Sequence, residues 1–167
     1  MEKKISFILN GEKAMVSCNP LKTLLNVLRD NLNHIEVKAG CEQGECGSCT
    51  VIIDGKIVNS CIFPVGQAEG KNIITIAGIS KKEATKGSPV GKLHPIQKIF
   101  IEEGAVQCGF CTPGMILAAK VLLDRTLTPT DDEIRTAISG NLCRCTGYSK
   151  IFSAVKKAAI FLRHRKL

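Results

Sequence analysis

Eight of the nine cysteines in this chain fall into two sets of four, and the spacing differs between the sets. The first set reads C-x4-C-x2-C-x11-C, which is typical of plant-type [2Fe–2S] ligation. The second reads C-x2-C-x31-C-x-C, which alone fits structural zinc as well as a cluster. The sets are Cys41, Cys46, Cys49 and Cys61, and Cys108, Cys111, Cys143 and Cys145.

Two sets of thiolate ligands in one short chain favour an electron relay, because a single structural metal would need only one set. An uninterrupted three-cysteine loop such as 41–49 is unusual for zinc. Gly44 and Gly47 allow its backbone amides to turn toward a negatively charged cluster. Beside a [2Fe–2S] site, the second set also favours a cluster. A zinc-stabilised interaction module is the alternative from another functional class.

The elements of the first half must return residue 61 to the 41–49 loop. Asp54-Gly55 predicts a two-residue hairpin turn whose register sets residue 48 opposite residue 61, and so Cys61 beside Cys49. An earlier hairpin joins 4–9 to 12–18 through Asn10-Gly11. A helix beginning at Pro20 and a strand over 72–76 complete a β-grasp-like α+β domain. The apolar face of that helix comprises Leu21, Leu24, Leu25, Leu28 and Leu32.

The second half reads as helical, and its helices close the second cysteine set. Pro113 fits the first turn of a helix that carries the chain about 18 Å from Cys108 and Cys111. An antiparallel return brings Cys143 and Cys145 back to the same end. The pattern predicts a four-helix bundle with helices over 95–103, 113–125, 131–139 and 148–164.

Composition and charge argue against several other functions. The net charge of +8 resides outside residues 1–79, which carry 8 basic and 8 acidic side chains. The basic end at 163–166 is interpreted as a solvated helix end, and the absence of Trp gives nucleic-acid stacking little support. The longest apolar run, 115–119, is too short to span a membrane. No catalytic triad, P-loop or dinucleotide motif is visible.

Three segments organise the chain, and its cysteine usage indicates a compartment. A ferredoxin-like domain is predicted over 1–79, a linker over 80–92 and a helical domain over 93–167. The N-terminus, MEKKISFILN, shows no signal peptide. Many cysteines without an export signal indicate metal-bound thiolates in a reducing, cytoplasmic setting. Cys18, outside both sets, is predicted to be a small buried apolar residue.

Three motifs closely resemble the small iron–sulfur subunit of molybdenum hydroxylases, the xanthine dehydrogenase family. They are GCEQGECGSCTV (40–51), AVQCGFCTPGM (105–115) and SGNLCRCTGY (139–148), and the resemblance covers about residues 3 to 160. It implies two [2Fe–2S] clusters, the first in a plant-type ferredoxin-like domain and the second in a four-helix domain.

The resemblance also implies a direction of electron flow and two partners. Electrons would pass from a molybdopterin centre to the C-terminal cluster, then to the N-terminal cluster, then usually to FAD. Molybdopterin is expected on a large partner subunit, with FAD on a medium one. Gln107 and Cys145 match family positions near the pterin. This chain would then carry no substrate site, and a free-standing two-cluster ferredoxin with exchangeable partners is the alternative.

Overall fold

The computed structural model describes residues 2–80 and 93–165. The first range contains a five-stranded mixed sheet with the order β2-β1-β5-β3-β4. β1 pairs antiparallel with β2, β3 pairs antiparallel with β4, and β5 lies between the two hairpins, parallel to β1 and antiparallel to β3. The strands are β1 Lys3–Leu9, β2 Glu12–Cys18, β3 Thr50–Ile53, β4 Lys56–Asn59 and β5 Asn72–Ile74.

Both predicted hairpins are confirmed with their registers. Leu9 pairs with Glu12 in the first hairpin, and Ile53 pairs with Lys56 in the second. The two central residues of each turn have positive φ, as a tight turn between twisted strands requires. The predicted strand at 72–76 is confirmed as β5, although it ends at Ile74.

The first helix begins later than the prediction. Thr23 caps α1 (Leu24–Asn26) by accepting a hydrogen bond from the Asn26 amide at 3.3 Å, and a π-helical segment, Val27–Asn31, follows. The Pro20 carbonyl instead accepts from the Gly66 amide at 2.8 Å, which holds this stretch outside the helix. Leu21 is 77% exposed, so its predicted place on the buried face is wrong. Of the other leucines predicted on that face, Leu24, Leu25 and Leu28 are buried and Leu32 is half-buried.

The four predicted helices of the second half are confirmed within one residue. Side chains in the middle of α3 are buried on almost every side, which makes it the central helix. The Thr130–Glu133 capping box at the start of α4 is formed. The helices are α2 Pro95–Glu102, α3 Thr112–Arg125, α4 Asp131–Ile138 and α5 Ser149–His164.

Two clusters of buried apolar side chains form the cores. One lies under the sheet and α1 and includes Ile5, Phe7, Val51 and Ile73. The other unites the helices and includes Phe100, Met115 and Ile134, with Ile52 joining it from β3. The sheet therefore contributes a side chain to the helical core, so the two halves share a packed boundary.

Most of the predicted linker, residues 81–92, lies outside the described residues. At the C-terminal end, Arg163, His164 and Arg165 are exposed, as expected for a solvated helix end. Among the described helices, none has both the length and the apolar character needed to cross a bilayer.

Candidate iron–sulfur sites

The first cysteine loop, residues 41–49, turns backbone amides toward its own sulfur atoms. The amides of Gln43 and Cys46 each donate to Cys41 Sγ at 3.4 Å, and the Cys41 amide donates to Cys46 Sγ at 3.4 Å. Positive φ at Gly44 and Gly47 allows this inward turn. The amides favour the charged thiolate, led by that of Gln43, and lower the pKa of Cys41 to about 6. The loop is thus prepared to present an anionic ligand.

Cys61 reaches the first loop by a tight turn. The β3–β4 ladder ends at the Thr50–Asn59 pair, so the predicted pairing of residue 48 with residue 61 is wrong. A 3₁₀ turn, Ser60–Ile62, replaces it. The Ser60 hydroxyl donates to the Cys49 carbonyl oxygen at 2.7 Å, which holds the turn against the loop. Burial is the main cause, and the neighbouring Cys49 thiol the second, of the rise in the pKa of Cys61 to about 12. The predicted proximity of Cys61 and Cys49 is therefore achieved by different local geometry.

The second set lies where two helices begin. Cys111 is the N-cap residue of α3, and Cys143 and Cys145 precede α5. Cys145 Sγ lies 3.6 Å from Cys108 Sγ, and Cys111 contacts Cys143. These four residues are separated by up to 37 positions in sequence, yet the α3–α4 excursion returns them to one end of the helices. The lengths of α3 and α4 account for this closure, as predicted from the sequence.

Local contacts give the second-set thiols unequal proton affinities. Burial, together with the Cys143 thiol, raises the pKa of Cys111 to about 12. Burial also opposes ionisation of Cys143, but hydrogen bonds from the Thr146 hydroxyl and nearby backbone amides outweigh it and lower its pKa. The Cys108 thiol raises the pKa of Cys145. Neighbouring thiols resist simultaneous ionisation because their negative charges would repel one another. A bound cation offsets this repulsion, so that all four cysteines can bind it as thiolates.

The arrangement of each set fits a two-iron cluster. Within each set, hydrogen bonds between thiols join the cysteines two by two. Two sulfur atoms bound at about 2.3 Å to one tetrahedral metal lie about 3.8 Å apart, close to the 3.6 Å between Cys108 Sγ and Cys145 Sγ. A [2Fe–2S] cluster takes two thiolates on each iron. The pairs are Cys41 with Cys46, Cys49 with Cys61, Cys108 with Cys145, and Cys111 with Cys143.

The second cysteine loop, residues 139–148, touches the first. The Leu142 amide donates to the Cys46 carbonyl oxygen at 2.9 Å. Leu142 precedes Cys143 in sequence, so one hydrogen bond joins the main chains beside a cysteine of each set. The sequence contained no signal for this contact, because its partners lie far apart along the chain.

Other predicted residues lie outside this contact. Gln107 is exposed beside Cys108, and Cys145 is also exposed. Cys18 is buried in β2, as predicted, and belongs to the core under the sheet. Two side chains that the sequence did not indicate hold the cysteine loops in place. The Asn59 side-chain amide donates to the Gly44 carbonyl at 2.5 Å, and the Tyr148 hydroxyl accepts from the Cys143 amide at 2.9 Å.

Both halves match known cluster-binding domains. Residues 7–72 match the 2Fe-2S iron–sulfur cluster binding domain, and residues 75–156 match the [2Fe-2S] binding domain. Each matched range contains one complete four-cysteine set. The two families therefore support one cluster for each half.

Whole-chain similarities extend this result. The chain is 50% identical to the nicotinate dehydrogenase small FeS subunit of Eubacterium barkeri, over 92% of this chain and 93% of the relative. It is 46% identical to a nicotinate dehydrogenase subunit of Pseudomonas putida, over 95% of this chain and 96% of the relative. A chain of quinoline 2-oxidoreductase from Pseudomonas putida 86 superposes with a TM-score of 0.89 at 40% identity, covering 99% of this chain and 97% of that one. The chain therefore belongs to the small iron–sulfur subunits of the molybdenum hydroxylases, the xanthine dehydrogenase family, and is an electron-transfer subunit with two [2Fe–2S]-binding domains.

Proposed function

We propose that this chain carries electrons from a molybdopterin-binding large subunit to an FAD-binding medium subunit, through the second cysteine set and then the first. The hydrogen bond from the Leu142 amide to the Cys46 carbonyl oxygen is the observation that carries this proposal. It supports a short, ordered path between the two sets. Two cluster-binding loops in direct contact within one chain suit a relay better than two independent structural metals would.

The eight paired cysteines are the proposed cluster ligands. Bound [2Fe–2S] clusters supply one-electron carriers. The chain's own residues hold and orient them: backbone amides of the first cysteine loop favour negative charge at Cys41, and Thr146 does the same at Cys143. Burial of Cys49 and Cys61 limits water at the inner side of the first site. The proposed ligands are Cys41, Cys46, Cys49 and Cys61 for the first cluster, and Cys108, Cys111, Cys143 and Cys145 for the second.

We propose that the chain has two domains joined by a linker. Residues 1–79 form the proposed plant-type ferredoxin-like β-grasp domain and 93–167 the proposed four-helix-bundle domain, joined by a linker over 80–92. The mixed sheet around one cysteine set and the helices around the other support this division. The boundary is packed, since Ile52 of β3 lies in the helical core.

The second site is the proposed entry point for electrons. Gln107 and Cys145 are exposed at that end, so a partner's pterin has access to both. A glutamine side chain offers both a donor and an acceptor, which suits the polar edge of a pterin ring. The exposed first cysteine loop, with Glu42, Gln43 and Glu45 at its surface, is the proposed exit toward the flavin subunit.

The names of the relatives suggest a substrate class for the assembly. Several similar proteins are named for nicotinate, nicotine or quinoline, which are nitrogen heteroaromatics. We propose that the assembly containing this chain oxidises a substrate of that class, at a site on the large subunit. A reducing, cytoplasmic location is proposed with it, because nine cysteines without a disulfide suit that setting.

Purification of the native assembly tests this function. A tag on this chain should recover one large subunit containing molybdenum and one subunit containing FAD, and nicotinate should reduce the iron–sulfur chromophore faster than an aldehyde does. A faster response to the aldehyde would overturn the substrate class alone. Recovery of a single chain that is soluble, coloured and reducible on its own would favour the free-standing ferredoxin.

A further inference from the structure

Asn141 lies buried in the contact between the two cysteine loops, with 3% of its surface exposed. Its side-chain amide donates to the Gly47 carbonyl oxygen at 2.9 Å and to the Thr50 hydroxyl at 3.1 Å. These acceptors lie 94 and 91 residues away in sequence. The amide therefore ties the second cysteine loop to the ferredoxin-like half.

The main chain of Asn141 is held just as firmly on its own side. The backbone N–H of Asn141 donates to the Ile138 carbonyl oxygen at 3.0 Å. The backbone carbonyl oxygen of Asn141 accepts from the Tyr148 hydroxyl at 3.2 Å. The same hydroxyl accepts from the Cys143 amide at 2.9 Å. Asn141 is thus linked through Tyr148 to a proposed ligand of the second cluster, while its side chain reaches the loop of the first.

Glycines bring the backbones around this amide into direct contact. A Cβ atom at Gly47 would lie 2.2 Å from the Gly140 carbonyl oxygen, and one at Gly114 would lie 2.3 Å from the Gly47 carbonyl oxygen. The Asn141 side-chain nitrogen is the next nearest atom at both positions. The hydrogen bonds of the Asn141 side chain and of the Leu142 amide cross this close contact and hold the two loops at that spacing.

We propose that Asn141 is a positioning residue that sets the separation of the two clusters. The proposal rests on the cluster sites proposed above. The magnetic interaction between two paramagnetic centres falls with the cube of their separation, and electron tunnelling falls exponentially with it. A small widening of the contact therefore slows transfer between clusters that each remain intact. An amide is required because both facing atoms, the Gly47 carbonyl and the Thr50 hydroxyl oxygen, accept from it.

The test is Asn141→Ala in the full cluster-loaded chain, reduced with dithionite and studied by low-temperature EPR. Iron content and both cluster signals should persist, while the splitting that arises from the interaction between the clusters becomes measurably smaller. Hydrogen exchange supplies a second readout, because the Leu142 amide, which bonds Cys46, should exchange faster. Native splitting and native Leu142 protection in this variant would overturn the proposal.

Matched variants separate positioning from general destabilisation. Ser139→Ala is the neighbouring control, because the Ser139 hydroxyl donates to Thr136 within its own half and should leave the splitting unchanged. Thr50→Val removes one acceptor of the Asn141 amide, together with the bond from the Thr50 hydroxyl to the Gly47 carbonyl at 2.7 Å, with little change of shape, and should weaken the splitting. Thr50→Ser keeps a hydroxyl and should restore it.

If the Asn141→Ala chain fails to fold, the comparison of Thr50→Val with Thr50→Ser tests the positioning role of Asn141. Equal splitting in Thr50→Val and Thr50→Ser would then overturn the positioning role. Failure of the cluster assignment itself looks different, because the unmodified chain would lack one of the two cluster signals before any substitution was made.

Discussion

Cys46→Ser should halve the iron content of the chain, from about four atoms to about two, and remove one of two EPR signals. Cys46 Sγ accepts from the Cys41 amide and contacts the Ser48 hydroxyl at 3.3 Å, so a shorter oxygen ligand there opens the first site. The second set shares no thiol with it. The Cys46 carbonyl, which bonds Leu142, is unchanged by the substitution, so the contact between the loops should persist.

The matched control for this variant is Cys18→Ser. Cys18 is buried in β2 and lies outside both cysteine sets, so its replacement should leave both EPR signals and the full iron content. Transfer of electrons to the flavin subunit should fall to background only in Cys46→Ser. Retention of both signals would show that Cys46 is no ligand, and loss of both would show that the two halves do not load independently.

Gly114→Ala should destabilise the chain by about 3 kcal/mol, a large effect for the addition of one methyl group. Gly114 lies in the first turn of α3, where a Cβ would approach the Gly47 carbonyl oxygen to 2.3 Å. That carbonyl accepts hydrogen bonds from the Asn141 amide and from both the amide and the hydroxyl of Thr50, so it cannot withdraw cheaply. Either the cysteine loop or α3 must shift.

Thermal unfolding of the cluster-loaded chain measures this effect, and the midpoint should fall by roughly 10 °C. Gly140→Ala is the matched control, since a Cβ at Gly140 meets no atom within 4 Å although the residue lies in the same contact. Its midpoint should stay within roughly 2 °C of that of the native chain. Equal midpoints for the two variants would contradict the close packing inferred at this boundary.

Local signals allowed much of the fold to be predicted from the sequence. Asn10-Gly11 and Asp54-Gly55 determine tight turns because their residues tolerate positive φ, and the turns in turn set the registers. The helices of the second half follow from apolar periodicity and from the Thr130–Glu133 cap. Such features depend on residues a few positions apart, which a single sequence displays directly.

The departures occur where distant contacts override local preference. Pro20 suits a helix start, but its carbonyl bonds the Gly66 amide and the helix begins after Thr23. The β3–β4 ladder, predicted to reach residue 61, ends at the Thr50–Asn59 pair and is followed by a turn held by Ser60. Insertion of β5 between the hairpins likewise depends on pairing with β1, more than 60 residues away.

The cysteine sets could be grouped by spacing, but the contact between them could not be predicted. Asn141 reads in sequence as an ordinary loop residue, and its partners Gly47 and Thr50 carry no mark of the pairing. Only the folded arrangement shows that a buried amide and two close glycines bring the two loops together. The residues that would hold the clusters are thus more visible in the sequence than the residues that space them.

Iron, acid-labile sulfide and zinc analysis of the purified chain, combined with EPR of the reduced protein, tests the two-cluster relay most directly. We expect about four iron and four sulfide per chain, no stoichiometric zinc, and two distinct [2Fe–2S] signals. Two iron atoms with one zinc ion per chain, and a single EPR signal, would contradict the account.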